Sequence, residues 1–142
     1  MKVVALVSGG KDSTFNMMEC VRHGHEIVAL ANLYPATNGS AAADELDSYM
    51  FQTVGHNVIQ AYADCMGNMP LYRRAIKGGS SKNLAMVYTE TAGDEVEDLF
   101  MLLAEVKREQ PEVQAVSSGA VLSVRTLTPR PAAPAVVAVE RD

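Results

Sequence analysis

The sequence contains no tryptophan, and only two cysteines and three histidines among its 142 residues. Cys20 and Cys65 lie far apart and form no Cys-x-x-Cys pair, which argues against a disulfide framework and a structural metal site. Reduced thiols inside helices, packed in the core, are the expectation for both. No apolar run approaches the ~20 residues of a membrane-spanning helix. The amino terminus enters an apolar strand-like run directly, without the layout of a signal peptide. Positive charge is also scarce, with 12 Lys and Arg against 17 Asp and Glu and a net charge of −5. That balance argues against a general nucleic-acid or anionic-membrane surface. The expectation is therefore a cytoplasmic protein with no direct nucleic-acid partner and no membrane partner. At 48% hydrophobic and 20% charged residues, the chain can bury a real core in one domain.

What is present is concentrated near the start. Val3-Val4-Ala5-Leu6-Val7 is short, apolar and rich in β-branched residues, as expected of a strand buried on both faces of a parallel sheet. Phe15, Met18 and Val21 then recur at helical spacing, and Gly24 stops the pattern. Between strand and helix stands Ser8-Gly9-Gly10-Lys11-Asp12-Ser13. Backbone N–H groups and the positive end of a helix dipole converge in such a turn and favour an anion. Gly9 and Gly10 allow close approach of backbone to phosphate oxygens, Lys11 adds a point charge, and Ser13 offers a hydroxyl. The loop is not a Walker A motif, because the first glycine of that motif would fall at Ala5.

Further on, Glu26 to Leu33 reads as a second buried strand, closed by Tyr34-Pro35, parallel to the first through a right-handed crossover. Residues 36–43 read as a surface loop. Leu46, Met50, Val54, Val58, Ala61 and Cys65 fall three or four apart, which predicts a long helix from Asp44 that Gly55 breaks or bends. Pro70 to Ile76 is a third strand or strand end, followed by the loop Gly78-Gly79-Ser80-Ser81. Leu84 to Thr89 suits a short extended segment. A helix opens at Gly93-Asp94-Glu95, with Val96, Leu99, Phe100, Leu103 and Val106 as its buried stripe and Lys107 and Arg108 in its last turn. Val113 to Leu122 reads as a fourth strand. Residues 123–142 carry three of the six prolines and no aromatic residue. They read as a divergent, loosely packed or disordered tail after an ATP-binding domain over 1–122.

Ser8 to Ser13 matches the PP-loop of ATP pyrophosphatases at all six positions. Three further stretches, Glu45-Leu46-Asp47-Ser48-Tyr49-Met50-Phe51-Gln52-Thr53-Val54-Gly55-His56, Gly93 to Leu99, and Gly119-Ala120-Val121-Leu122-Ser123, occur in the order found in the diphthamide synthetase (diphthine–ammonia ligase) family. The chain closely resembles that family from Met1 to about Ser123. The resemblance implies an adenine nucleotide α-hydrolase-like α/β fold with a parallel sheet in the order 3-2-1-4-5. It implies ATP and magnesium as cofactors, with ammonium and diphthine-bearing translation elongation factor 2 as partners. Ser8, Gly9, Gly10, Lys11, Asp12 and Ser13 would hold the nucleotide phosphates, and Ala31, Asn32 and Gly119 would complete the nucleotide site. Lys11, Asp12 and His56 are the implied catalytic positions, with Asp12 also on the metal. Asp47, Tyr49, Gln52, Asp94, Glu95 and Glu97 are the implied substrate-side residues.

After Ser123 the family pattern does not resume. The expectation is a truncated or alternatively spliced form that lacks the fifth strand and leaves the outer edge of the fourth unpaired. Two other readings stay open: a nucleotide-binding isoform without catalysis, and another PP-loop ligase acting on tRNA. Two substitutions separate the glycine-rich loops. Gly10→Val puts a β-branched side chain where backbone must approach phosphate, whereas Ser80→Ala only trims a loop. Gly10→Val should be the more damaging to ATP affinity; equal affinities in a nucleotide titration would instead implicate the 78–81 loop.

Overall fold

The computed structural model describes residues 1–36, 58–77, 94–119 and 135–137. Five strands and three helices alternate along them: β1 (Lys2–Leu6), α1 (Lys11–Arg22), β2 (Glu26–Pro35), α2 (Ile59–Cys65), β3 (Leu71–Ile76), α3 (Glu95–Glu109), β4 (Ala115–Ser117) and β5 (Ala135–Val137). The strands form one sheet in the order β3-β2-β1-β4-β5, and every pairing is parallel. Among the described residues, no helix is long and apolar enough to cross a membrane.

A parallel sheet needs cover on both faces, because each strand alternates its side chains between them. On one face Val4, Ala31, Leu33, Ile76 and Val116 pack against Leu99, Leu102, Leu103 and Val106 of α3. On the other, Ala5, Val7, Ile27 and Leu30 meet Met17 of α1 and Ile59 and Ala63 of α2. Truncating a fully buried residue such as Leu102 would cost about 2–5 kcal/mol.

The helix ends follow their local chemistry. Gly24 adopts φ +78°, its N–H donates to Val21 O, and the His25 N–H donates to Cys20 O, both at 3.0 Å. This is a Schellman stop, which glycine permits without a Cβ clash. Asp94 caps α3 by accepting the Val96 N–H at 3.0 Å, and at the far end Lys107 Nζ donates to the carbonyls of Pro111 and Val113.

Several expectations are corrected. In α1 the buried face carries Ser13, Asn16, Met17 and Cys20, whereas Phe15, Met18 and Val21 are 46%, 64% and 59% exposed. The helical period holds, and the apolar stripe that marks it is the exposed one. Met18 and Val21 instead line an open apolar groove of about 750 Å³ toward Val58, Tyr62 and Met66. Cys20 is buried as expected, but Cys65 is exposed. In α3, Leu102 joins the buried stripe and Phe100 is only half-buried. Strand β2 runs on through Tyr34 and Pro35, and β4 stops at Ser117. The helix is seen only from Ile59; residues 44–57, the 78–82 loop and the 84–89 segment lie outside the described residues.

The largest correction concerns the sheet edge. Ala135, Val136 and Val137 pair in parallel with Ala115, Val116 and Ser117, so the outer edge of β4 is covered by a strand from the tail. Prolines lack the N–H a ladder needs, but Pro129, Pro131 and Pro134 all precede the paired residues. What remains is a β-branched pair free to donate. Val136→Pro removes one of those donors, and the Val116 and Ser117 amides should then exchange with deuterium distinctly faster than in the unmodified chain. Unchanged protection would mean that β5 contributes nothing to holding β4.

Candidate functional site

The turn from β1 into α1 lies at the carboxyl end of the sheet. Gly9 has φ +82°, a left-handed conformation that favours glycine. Gly10 is extended and caps α1 without any side-chain hydrogen bond to the first turn. The first amides of a helix have no intrahelical acceptor. Gly10 adds no side chain over that turn, and the amino end of a helix favours an anion. Lys11 and Asp12, the first two helical residues, are exposed there.

The two serines serve the loop itself. Ser13 Oγ donates to Gly10 O at 2.9 Å and accepts the Ser8 N–H at 3.4 Å, while Gly10 N–H donates to Ser8 Oγ at 3.4 Å. Thr14 Oγ1 adds a bond to Gly10 O at 3.2 Å. The loop thus has its shape built in. A fixed set of donors binds an anion without first paying to order itself.

Four contacts hold this turn against the sheet and α2. Val7 N–H donates to Ala31 O at 2.9 Å, and Asn32 Nδ2 donates to Val7 O at 2.8 Å, so the ends of β1 and β2 are tied together. The buried Asn16 side chain of α1 donates through Nδ2 to Ser117 Oγ of β4. Thr14 Oγ1 and the Tyr62 hydroxyl of α2 lie 2.9 Å apart. Just past β4, a Cβ on Gly119 would sit 3.0 Å from Asp12 O and 3.2 Å from Ser13 N. Gly119 is thus a close-approach position against the first turn of α1, which its place in the sequence alone did not reveal. Asn16, Ser117, Thr14 and Tyr62 were not singled out from sequence. The small polar run Ser117-Ser118-Gly119 at a strand end was the available signal.

Ser8 to Ser13, Ala31, Asn32 and Gly119 are therefore gathered at one end of the sheet. Asp94, Glu95 and Glu97 stand elsewhere, at the start of α3 on the opposite face. Asp94 and Glu95 are buried there, and Asp94 is the helix cap. Beside them the buried Asp98 accepts the Lys77 N–H at 2.8 Å and lies 3.6 Å from Arg74 Nε. Asp98 thereby binds α3 to the end of β3. Asp47, Tyr49, Gln52 and His56 lie outside the described residues. Among the described residues, no cluster of His, Cys, Asp and Glu could hold a metal by itself. The exposed Asp12 carboxylate, next to a phosphate-accepting turn, fits a magnesium ion carried in with a nucleotide.

A parallel α/β sheet of this order reverses direction between β1 and β4, and ligands of such folds bind in the crevice at that switch point. This defines the molecule as a Rossmann-like α/β domain with a glycine-rich turn at its switch point. Residues 1–128 match the diphthamide synthase N-terminal domain, and the chain belongs to that family. Over 123 residues, 87% of the chain, it is 59% identical to the diphthine–ammonia ligase of Bos taurus and 59% identical to that of Danio rerio. Over the same length it is 50% identical to the diphthine–ammonia ligase of Saccharomyces cerevisiae. It spans about half the length of the vertebrate relatives, 45% and 46%, and 17% of the yeast one.

Gly119→Ala tests the close approach. A methyl group there must displace the backbone of Asp12 and Ser13, at a cost of about 1–3 kcal/mol. Melting temperature should fall, and affinity for inorganic pyrophosphate should fall further than in a surface variant of equal stability. Pyrophosphate affinity that tracks stability alone would remove Gly119 from the site.

Proposed function

We propose that the Ser8–Ser13 turn is an ATP site and that the chain acts in the ATP-dependent amidation of diphthine on translation elongation factor 2. Ammonium is the nitrogen donor, and the products are diphthamide, AMP and pyrophosphate. The observation that carries this reading is the side-chain-free Gly10 cap at the switch point, preshaped by Ser8 and Ser13 and flanked by Lys11. The family membership supports the reaction class.

The chemistry asks for such a turn. A carboxylate is a poor acyl donor, because its negative charge repels a nucleophile and its oxygen is a poor leaving group. Transfer of AMP from ATP to the carboxylate expels pyrophosphate and leaves a mixed anhydride. Ammonia, formed when ammonium loses a proton, adds to the acyl carbon, and AMP departs with the C–O bond. Negative charge builds on the departing pyrophosphate, where donors already oriented stabilise the transition state most. The amides of the first turn of α1 and the Lys11 ammonium are those donors. Asp12 would hold a magnesium ion bound with the nucleotide, which would supply charge neutralisation at the phosphates. The adenosine half lies past the carboxyl end of β2, which Asn32 ties to the end of β1; the Ala31 side chain packs on the opposite face, against α3.

Lys11→Ala tests the loop. Lys11 is exposed, so the fold should persist while ATP binding falls at least tenfold, the scale of one charge-assisted contact at about 1.5–3 kcal/mol. Circular dichroism and nucleotide titration on one sample measure both. An assay for AMP and pyrophosphate, run with unmodified and diphthine-bearing elongation factor, then separates turnover from binding alone.

A further inference from the structure

Gly10 immediately precedes α1, and donors from three groups converge on its carbonyl oxygen. Ser13 Oγ donates to it at 2.9 Å, Thr14 Oγ1 at 3.2 Å and the Thr14 N–H at 3.4 Å. A carbonyl can only accept, and a threonine hydroxyl has one hydrogen to give. Thr14 directs that hydrogen to Gly10 O, so across the 2.9 Å between Thr14 Oγ1 and Tyr62 the tyrosine hydroxyl is the donor. A directed chain therefore runs from Tyr62 of α2 through Thr14 to Gly10 O.

The other end of that peptide group is the Lys11 N–H. In a planar trans peptide the N–H points opposite to the C=O. Lys11 is the first residue of α1, so its amide has no acceptor within the helix. Donors that hold the Gly10 carbonyl toward the helix body thus turn the Lys11 N–H outward from the amino end. Charge links the two ends as well. An anion that accepts from the Lys11 N–H polarises the peptide and makes Gly10 O a stronger acceptor, while donors on Gly10 O make that N–H a stronger donor. A threonine bonded to the carbonyl four residues earlier needs no help from another helix. The Tyr62 ring packs against the apolar cluster that includes Met17 and Ile59, and that packing asks for a ring rather than a hydroxyl.

We propose that Tyr62 is a positioning residue for phosphate binding at the Ser8–Ser13 turn. Its hydroxyl acts through Thr14 and the Gly10 carbonyl to aim and strengthen the Lys11 amide as an anion donor. This inference rests on the nucleotide reading of the turn and gives α2, a helix of seven residues, a task in it. Tyr62 itself touches no phosphate.

The test is calorimetric titration of the whole chain with inorganic pyrophosphate and, separately, with ATP. Tyr62→Phe keeps the ring and removes the donor. It should weaken pyrophosphate about threefold to tenfold, the range for one neutral hydrogen bond. Thr14→Val should cause a similar loss, whereas Thr14→Ser, which keeps the hydroxyl, should stay within about twofold of wild type. Combining Thr14→Val with Tyr62→Phe should cost little more than either alone, because both cut the same chain. Val106→Ala, in α3 on the opposite face, lowers stability without touching the chain and should leave pyrophosphate within about twofold. Wild-type pyrophosphate affinity in Tyr62→Phe overturns the proposal and leaves the nucleotide site standing. Fully additive losses in the double variant also overturn it. So does a loss in Val106→Ala as large as that in Tyr62→Phe, since stability alone would then set affinity. If wild type binds neither pyrophosphate nor ATP, the nucleotide reading falls and the proposal falls with it.

Discussion

The approach of the β4 end to the first turn of α1 is the constraint on which the rest of the structure depends. At 3.0 Å from a would-be Cβ to Asp12 O, nothing larger than glycine fits at 119 unless the turn moves. Asn16 and Ser117 lock the same two elements a turn further along the helix. The start of α1 is therefore held at the point where the sheet reverses its order, and the Gly10 cap faces the crevice there. If α1 slid along the sheet, the loop would keep its own hydrogen bonds but lose its place beside β2 and β4.

Around that point the molecule divides its polar residues by task. On the α1 face, Asn32, Arg73 and Thr14 form bonds that position the ends of strands and helices around the turn. On the α3 face, Asp94 and Asp98 act as a helix cap and as a tie to the end of β3. Such buried acids stay because each has partners; left unpaired, each would be costly. Asp94 and Asp98 thus have structural roles of their own, and Asn32 ties the end of β2 to the end of β1.

Much of the fold was legible in the sequence because its signals are local. The apolar runs at residues 3–7 and 26–33, the helical period after the loop, the stop at Gly24 and the cap at Asp94 each depend on neighbours within a few residues. The candidate loop was legible for the same reason, since glycine, lysine and serine between a strand and a helix state their own chemistry. The buried face of α1 was not legible, because Phe15, Met18 and Val21 and the set Ser13, Asn16, Met17 and Cys20 both satisfy a helical period. Hydropathy favours the first set. The sheet accepts the second, because Asn16 finds Ser117 and Ser13 finds Gly10, and a polar side chain with a partner can be buried.

By itself, then, the sequence determined the alternation of strands and helices, the glycine-rich turn between the first strand and the first helix, and the parallel character of the inner strands. All of these follow from backbone preference and hydrophobic period over short windows. Only the tertiary structure decided which stripe of α1 is buried, that Gly119 meets Asp12, that Arg73 reaches Asn32, and that residues 135–137 complete the sheet. Each of those joins residues 20 or more positions apart, except the Ser13–Gly10 bond that seats the helix face. A long-range contact gains its energy from a partner that no local window contains. Three β-branched or small residues after a run of prolines have no preference strong enough to declare a strand; the open edge of β4 supplies it.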